Sequence, residues 1–175
     1  MMKRKQDSGH YVHQVSGRTV YLTPKWITDL LGPFDLDPCA SHPRPWDIAK
    51  VNMVGKHNGG LCGLEAPWKG FVWLNPPYGK SNGMDKFIAK LAAHRDGGIC
   101  LINANTQTAI WHEVIWQRAR AFVFLKGRIS FYNTDGTTTD GTFGSPVFVA
   151  FGEKAEKRLS RLSIYGHYMR NNHGN

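Results

Sequence analysis

Trp73-Leu74-Asn75-Pro76-Pro77-Tyr78-Gly79 is the stretch on which the fold turns. With the two residues before it, it forms Phe71-Val72-Trp73-Leu74, a continuous apolar run typical of a strand buried on both faces. The next residues are stiff. A residue preceding a proline is pushed toward extended backbone, so Asn75 and Pro76 are both held out of the helical region. Each proline fixes its own φ and carries no N–H. The strand therefore ends in free carbonyls at the carboxyl edge of a sheet, where open α/β folds bind ligands. Asn75 offers a side-chain amide oxygen there and Pro76 a backbone carbonyl; as paired acceptors they suit a planar NH₂ group. Tyr78 offers a flat face for stacking. The competing interpretation is an ordinary turn or a proline-rich recognition sequence, and the flanking strand and helix count against it.

Outward from this stretch the periodicity switches repeatedly between helix and strand. Thr23-Pro24 marks a helix start, an N-cap followed by proline at the first helical position, after a short extended piece at Thr19–Leu22. Trp26, Ile27, Leu30 and Leu31 carry that helix to a stop at Gly32-Pro33. Phe34-Asp35-Leu36-Asp37 is a short strand ended by Pro38, and residues 38–70, with prolines at 38, 43, 45 and 67, are expected to be loop with at most one helical turn. Helices are expected over 84–95 and 108–119, with strands at Ile99–Ile102 and Ala121–Phe124 between and after them. Arg128–Tyr132 and Pro146–Phe151 are expected to complete the sheet as an antiparallel hairpin at one edge, separated by a polar loop at 133–144. The pattern predicts an α/β domain with a mostly parallel sheet. Its bounds are set at 17–152, between a flexible basic arm (1–16) and a charged, partly helical tail (153–175).

Composition narrows the function classes. The chain has 175 residues and a formal net charge of +9, an excess that attracts polyanions, nucleic acid above all. No run of about 18 apolar residues is present, so no membrane span is expected, and the basic start is followed by no apolar stretch of a secretory signal. Cys39, Cys62 and Cys100 form no CxxC pair, which points to reduced thiols in an intracellular protein. The eight histidines show no metal-ligand spacing, so no metal site is expected.

The strand-borne Asn-Pro-Pro-Tyr resembles the signature of the amino-methyltransferases. An ordered series of further segments resembles the small phage-type DNA N6-adenine methyltransferases: Thr23-Pro24 followed by Trp26, Phe34–Ala40, Gly60-Leu61, Trp68, Gly127–Phe131 and Ser145-Pro146. The resemblance covers roughly residues 20–152. It implies a minimal Rossmann-like methyltransferase, a monomer using S-adenosylmethionine to methylate N6 of an adenine flipped out of double-stranded DNA. It implies catalytic roles for Asn75, Pro76, Pro77 and Tyr78. Thr23, Pro24, Asp37, Pro38, Cys39, Ala40 and Asn75 would line the cofactor, and Tyr78, Lys80 and Arg128 would contact DNA. It further implies a cytoplasmic place in a bacterial host, if the gene is carried by a phage or prophage, and a part in restriction-modification. Three departures stand out. No Gly-x-Gly loop follows the first strand; Asn105 stands where relatives carry an arginine; and Asp47 and Glu65 are the candidates for the acid that holds the cofactor ribose. Two alternatives stay open at this point: the same chemistry on RNA or on protein glutamine, and a non-catalytic nucleic-acid-binding protein on a degenerate methyltransferase scaffold.

Overall fold

Apolar side chains that alternate along the central strands sort themselves onto two faces of one sheet, and each face is covered by helices. The computed structural model describes residues 21–55, 62–78, 83–139 and 144–172. In chain order they form α1 (Lys25–Leu31), β1 (Phe34–Ala40), β2 (Ala49–Val54), β3 (Val72–Leu74), α2 (Met84–Ala93) and β4 (Gly98–Asn103). A π-helical turn (Trp111–Ile115) then runs into α3 (Trp116–Arg118), followed by β5 (Ala121–Leu125), β6 (Pro146–Phe151), α4 (Glu153–Leu159), a 3₁₀ stretch (Ser160–Tyr165) and β7 (Gly166–Arg170).

The seven strands form one sheet in the order β2-β1-β3-β4-β6-β5-β7. β1 pairs parallel with β2 and β3, and β3 with β4. β6 lies antiparallel between β4 and β5, and β7 closes the far edge antiparallel to β5. Strands β1 to β5 thus all point one way, and β6 and β7 point the other. On one face Trp73, Ile99, Leu101, Val123 and Phe148 pack under α1 and α4; on the other Leu74, Cys100, Ile102, Phe122 and Val149 pack under α2 and the Trp111 helix. The expected mixed α/β architecture is present.

Several local expectations are corrected. Pro24 flanks α1 with ψ at 133°, rather than occupying its first turn, and no side chain caps the helix. β1 continues through Pro38 to Ala40; the proline, which has no N–H to donate, falls where the register with β2 shifts, between Asp37 and Ala40. β2 lies inside the stretch expected to be loop. It is an edge strand, with Lys50 and Val51 exposed, so its apolar pattern is too weak to show. Arg128–Tyr132 forms no strand, because only Tyr132 pairs, with Leu22 and Thr138. β6 is therefore no edge hairpin but a central strand, as its unbroken Val147–Phe151 burial requires. The segment after Gly152 is no peripheral tail: Ala155, Leu159 and Leu162 are fully buried and β7 completes the sheet. The arm expected at 1–16, and Thr19 and Val20 of the short extended piece, lie outside the described residues.

Integration of the C-terminal segment is measurable. Leu159→Ala should cost about 3 kcal/mol in urea unfolding, the usual penalty for a truncated buried leucine; a change under about 0.5 kcal/mol would mark the segment as surface.

Candidate active site

β1 and β3 lie side by side and parallel, Leu36 beside Val72. The chain passes from β1 outward to β2, and from β3 in the opposite direction to β4. Connections that part in this way open a crevice outside the carboxyl ends of the two strands. One wall carries the end of β1, Asp37-Pro38-Cys39-Ala40, and the other the Asn75-Pro76-Pro77-Tyr78 turn that follows β3.

A third segment closes over this corner. Leu22 and Tyr132 exchange both backbone hydrogen bonds, at 2.8 and 2.9 Å. Trp46 packs edge-on against Tyr132, with ring centroids 5.3 Å apart. The carbonyl of Tyr21 accepts from Asn75 Nδ2 at 3.1 Å. That bond orients the amide, and Asn75 Oδ1 is left buried with no partner. Thr23 Oγ1, Ser41 Oγ and Trp46 Nε1 are also buried and unpartnered, all on segments that meet at this corner. A buried polar group without a partner costs about 1–3 kcal/mol, so such a concentration is expected where a ligand completes the bonding.

Asp37 is the charged component. Its Oδ1 accepts the N–H of Cys39 at 2.9 Å. Burial pushes its carboxyl up to about 7, against the opposing pull of the Cys39 N–H and Arg44. A cation brought into the crevice would favour the ionised form. Burial, with Asp37 and Cys62 close by, raises the Cys39 thiol well above its ordinary range, so it is protonated and a poor nucleophile. Tyr78 is half-buried, and burial lifts its hydroxyl to about 12.

Residues 62–66 pack closely on the end of β1. A Cβ on Gly63 would lie 2.1 Å from the Pro38 carbonyl oxygen, so only glycine fits there. Lys90 Nζ donates to the carbonyls of Gly63, Leu64 and Ala66 at 3.2, 2.8 and 2.6 Å, and Trp68 Nε1 to that of Gly63 at 2.7 Å. Together they press residues 62–66 against the end of β1. Sequence reasoning missed Gly63, Lys90, Ser41 and Trp46, because their partners are distant in the chain; an ammonium holding three carbonyls leaves no local pattern.

Thr23, Pro24, Asp37, Pro38, Cys39, Ala40, Asn75 and Pro76 are thus gathered at one corner. Pro77 is exposed beside it, and Lys80 lies outside the described residues. Arg128 lines a cleft at the end of β5, along the same edge. Asp47 is exposed, paired with Arg44 at 2.6 Å, and precedes β2. Glu65 is also exposed, and neither stands at the carboxyl end of β2. Among the described residues no cluster of His, Cys, Asp or Glu could hold a metal ion. No helix among them is long and apolar enough to cross a membrane.

A switch-point crevice bearing Asn-Pro-Pro-Tyr after its central parallel strand defines the amino-methyltransferase class. Within that class, the sequence model for DNA N-6-adenine-methyltransferase (Dam) matches residues 13–172. The chain belongs to this family. No curated protein and no solved structure matches it.

The environment of Asp37 makes a prediction about the protein alone. Its native pKa lies above the unfolded value, so between about pH 4 and pH 7 the native state holds a proton that the unfolded state releases. Its contribution to stability therefore falls as pH rises through that window, by roughly 4 kcal/mol for a shift of about three units. Asp37→Asn should match the parent near pH 4 and exceed it by a few kcal/mol at pH 8 in urea unfolding. An equal difference at both pH values would refute the assignment.

Proposed function

We propose that the protein transfers the methyl group of S-adenosylmethionine to N6 of an adenine in DNA, with the base swung out of the duplex into the crevice between β1 and β3. One observation carries this: Asn75 Oδ1, a buried acceptor with no partner, held by its own amide nitrogen on the Tyr21 carbonyl. An exocyclic NH₂ has two donors, and Asn75 Oδ1 and the Pro76 carbonyl accept them. Accepting both hydrogen bonds draws the nitrogen lone pair out of conjugation with the ring. The adenine must leave the helix because its N6 is otherwise paired within it.

Bound in the crevice, S-adenosylmethionine supplies an electrophilic methyl on a sulfonium. The residues present fit it. The ionised Asp37 carboxylate meets its ammonium group, and Thr23 and Ser41 turn unpartnered hydroxyls toward the same corner. Pro38, Cys39 and Ala40 form the floor, and Pro24 the rim. Tyr78 stacks on the adenine, with Pro77 stiffening the turn. The transfer is a direct displacement and depends on positioning and electrostatics rather than a covalent nucleophile, which accords with a Cys39 thiol kept protonated. The net charge of +9 favours nucleic acid over a glutamine side chain. Arg128 and Lys80 are assigned to phosphate contacts.

Tritiated methyl transfer onto DNA, RNA and protein tests the proposal. Incorporation into DNA adenine is expected, and incorporation into RNA alone would reject it. Asn75→Ala should lower kcat by about 10²–10³, the loss seen when one acceptor or donor poised at the reacting group is removed, with cofactor affinity held within about two-fold in calorimetry; an unchanged rate would remove Asn75 from the mechanism. Absence of cofactor binding by the parent protein would leave a nucleic-acid-binding scaffold instead. Cofactor affinity should also rise with pH through about 7 as Asp37 ionises, and Asp37→Asn should abolish that dependence.

A further inference from the structure

The carboxyl edge of the sheet continues past the crevice. β5 points the same way as β3 and lies three strand positions away, about 14 Å at the usual strand spacing. Two clefts flank its end and share Phe124 and Leu125 as a wall. One, of about 760 Å³, is bordered by Lys126, Ile164, Tyr165 and His167. The other, of about 440 Å³, is bordered by Arg128, Ser145 and Pro146. No acidic side chain lines either cleft among the described residues.

This is also where the surface is most apolar. Among the described residues the exposed large apolar side chains are Trp26, Val51, Ile164 and Tyr165, at 46, 53, 78 and 45% exposure. All but Val51 gather here, with the rings of Trp26 and Tyr165 4.9 Å apart. Lys126 is tied to the same spot, its N–H donating to the Tyr165 carbonyl at 2.9 Å. Helix α1 joins this surface to the crevice. Trp26 sits in its first turn, while Tyr21, just ahead of it, holds the Asn75 amide.

We propose that the Trp26–Tyr165–Ile164 surface, with Lys126 and the neighbouring Arg128 cleft, is a second hold on duplex DNA beside the target base. This second hold rests on the proposed DNA-methylating function and extends it. Lys126 takes a phosphate, and the apolar group packs against deoxyriboses and exposed base edges. A 14 Å offset spans about four base-pair steps at 3.4 Å each, so one duplex reaches both places. DNA suits this surface better than a second copy of the chain would. The cleft lining carries cations and no acids among the described residues, in a chain of net charge +9, so two copies would bring like charges together.

Ile164→Asp and Lys126→Ala, both at exposed positions where substitution leaves stability nearly unchanged, test this by fluorescence anisotropy on labelled duplex DNA. Ile164→Asp should weaken duplex binding about ten-fold or more and raise the KM for DNA, with cofactor affinity in calorimetry unaltered. Lys126→Ala should lower the slope of log K against log salt by about one, the signature of a lost phosphate contact. Parental DNA affinity and salt slope in both variants, together with loss of turnover in Asn75→Ala, would overturn this surface while leaving the catalytic site standing. A parent protein that neither binds nor methylates DNA would overturn both. Sedimentation showing a dimer that Ile164→Asp splits would overturn it too, the surface then being an interface between copies.

Discussion

The hydrogen bond from the Asn75 amide nitrogen to the Tyr21 carbonyl is the constraint on which the site depends. An amide side chain has a donating end and an accepting end, and nothing in the turn after β3 selects between them. The backbone of Tyr21 makes the selection by accepting from the amide nitrogen, which leaves Oδ1 buried and without a partner. Tyr21 is held in turn through Leu22, whose paired bonds with Tyr132 fasten it to the segment after β5. Ile129 and Phe131 of that segment are buried on the same face as Trp73 and α1. The orientation of a single amide thus draws on three parts of the chain more than fifty residues apart.

Such a corner is costly to fold. Thr23, Ser41, Trp46 and Asn75 each bury a polar atom without a partner, and Asp37 buries a carboxyl. A sheet covered on both faces supplies the stability that offsets this. Trp73 and Trp111, with Phe34, Phe71, Phe122 and Phe148, are all fully buried, and large apolar burial is the main favourable contribution to folding. Binding a ligand that completes these bonds would favour the folded state further, by ordinary linkage.

The strand order explains why the candidate site and the neighbouring clefts lie along one edge. β1 to β5 all end there, so the Asp37 wall, the Asn75 turn and the clefts beside Leu125 stand in a row. Inserting β6 antiparallel between β4 and β5 keeps that row intact. Its own carboxyl end at Phe151 points the other way, where Gly97 and Gly152 pack closely and α4 turns back to cover the sheet.

Much of this was readable from local chemistry. Two prolines after a buried apolar run dictate a stiff turn whose carbonyls lack local partners, and the strongly periodic stretches, β3, β4, β5, α2 and the Trp111 helix, formed near their expected bounds. The elements that were not legible are those whose stability comes from distant partners. β2 and β7 are edge strands with half-polar patterns, and they exist because β1 and β5 offer them backbone to pair with. Arg128–Tyr132 has strand-like residues but pairs only at Tyr132, because β6 already occupies the flank of β5 that it would need. By itself, then, the sequence determined which chemical groups the site contains, since backbone restriction and side-chain type are local properties. Which end of the Asn75 amide is left without a partner, how far Asp37 is stripped of water and which surfaces share the sheet edge were decided by the tertiary structure, because each depends on contacts between residues far apart in the chain.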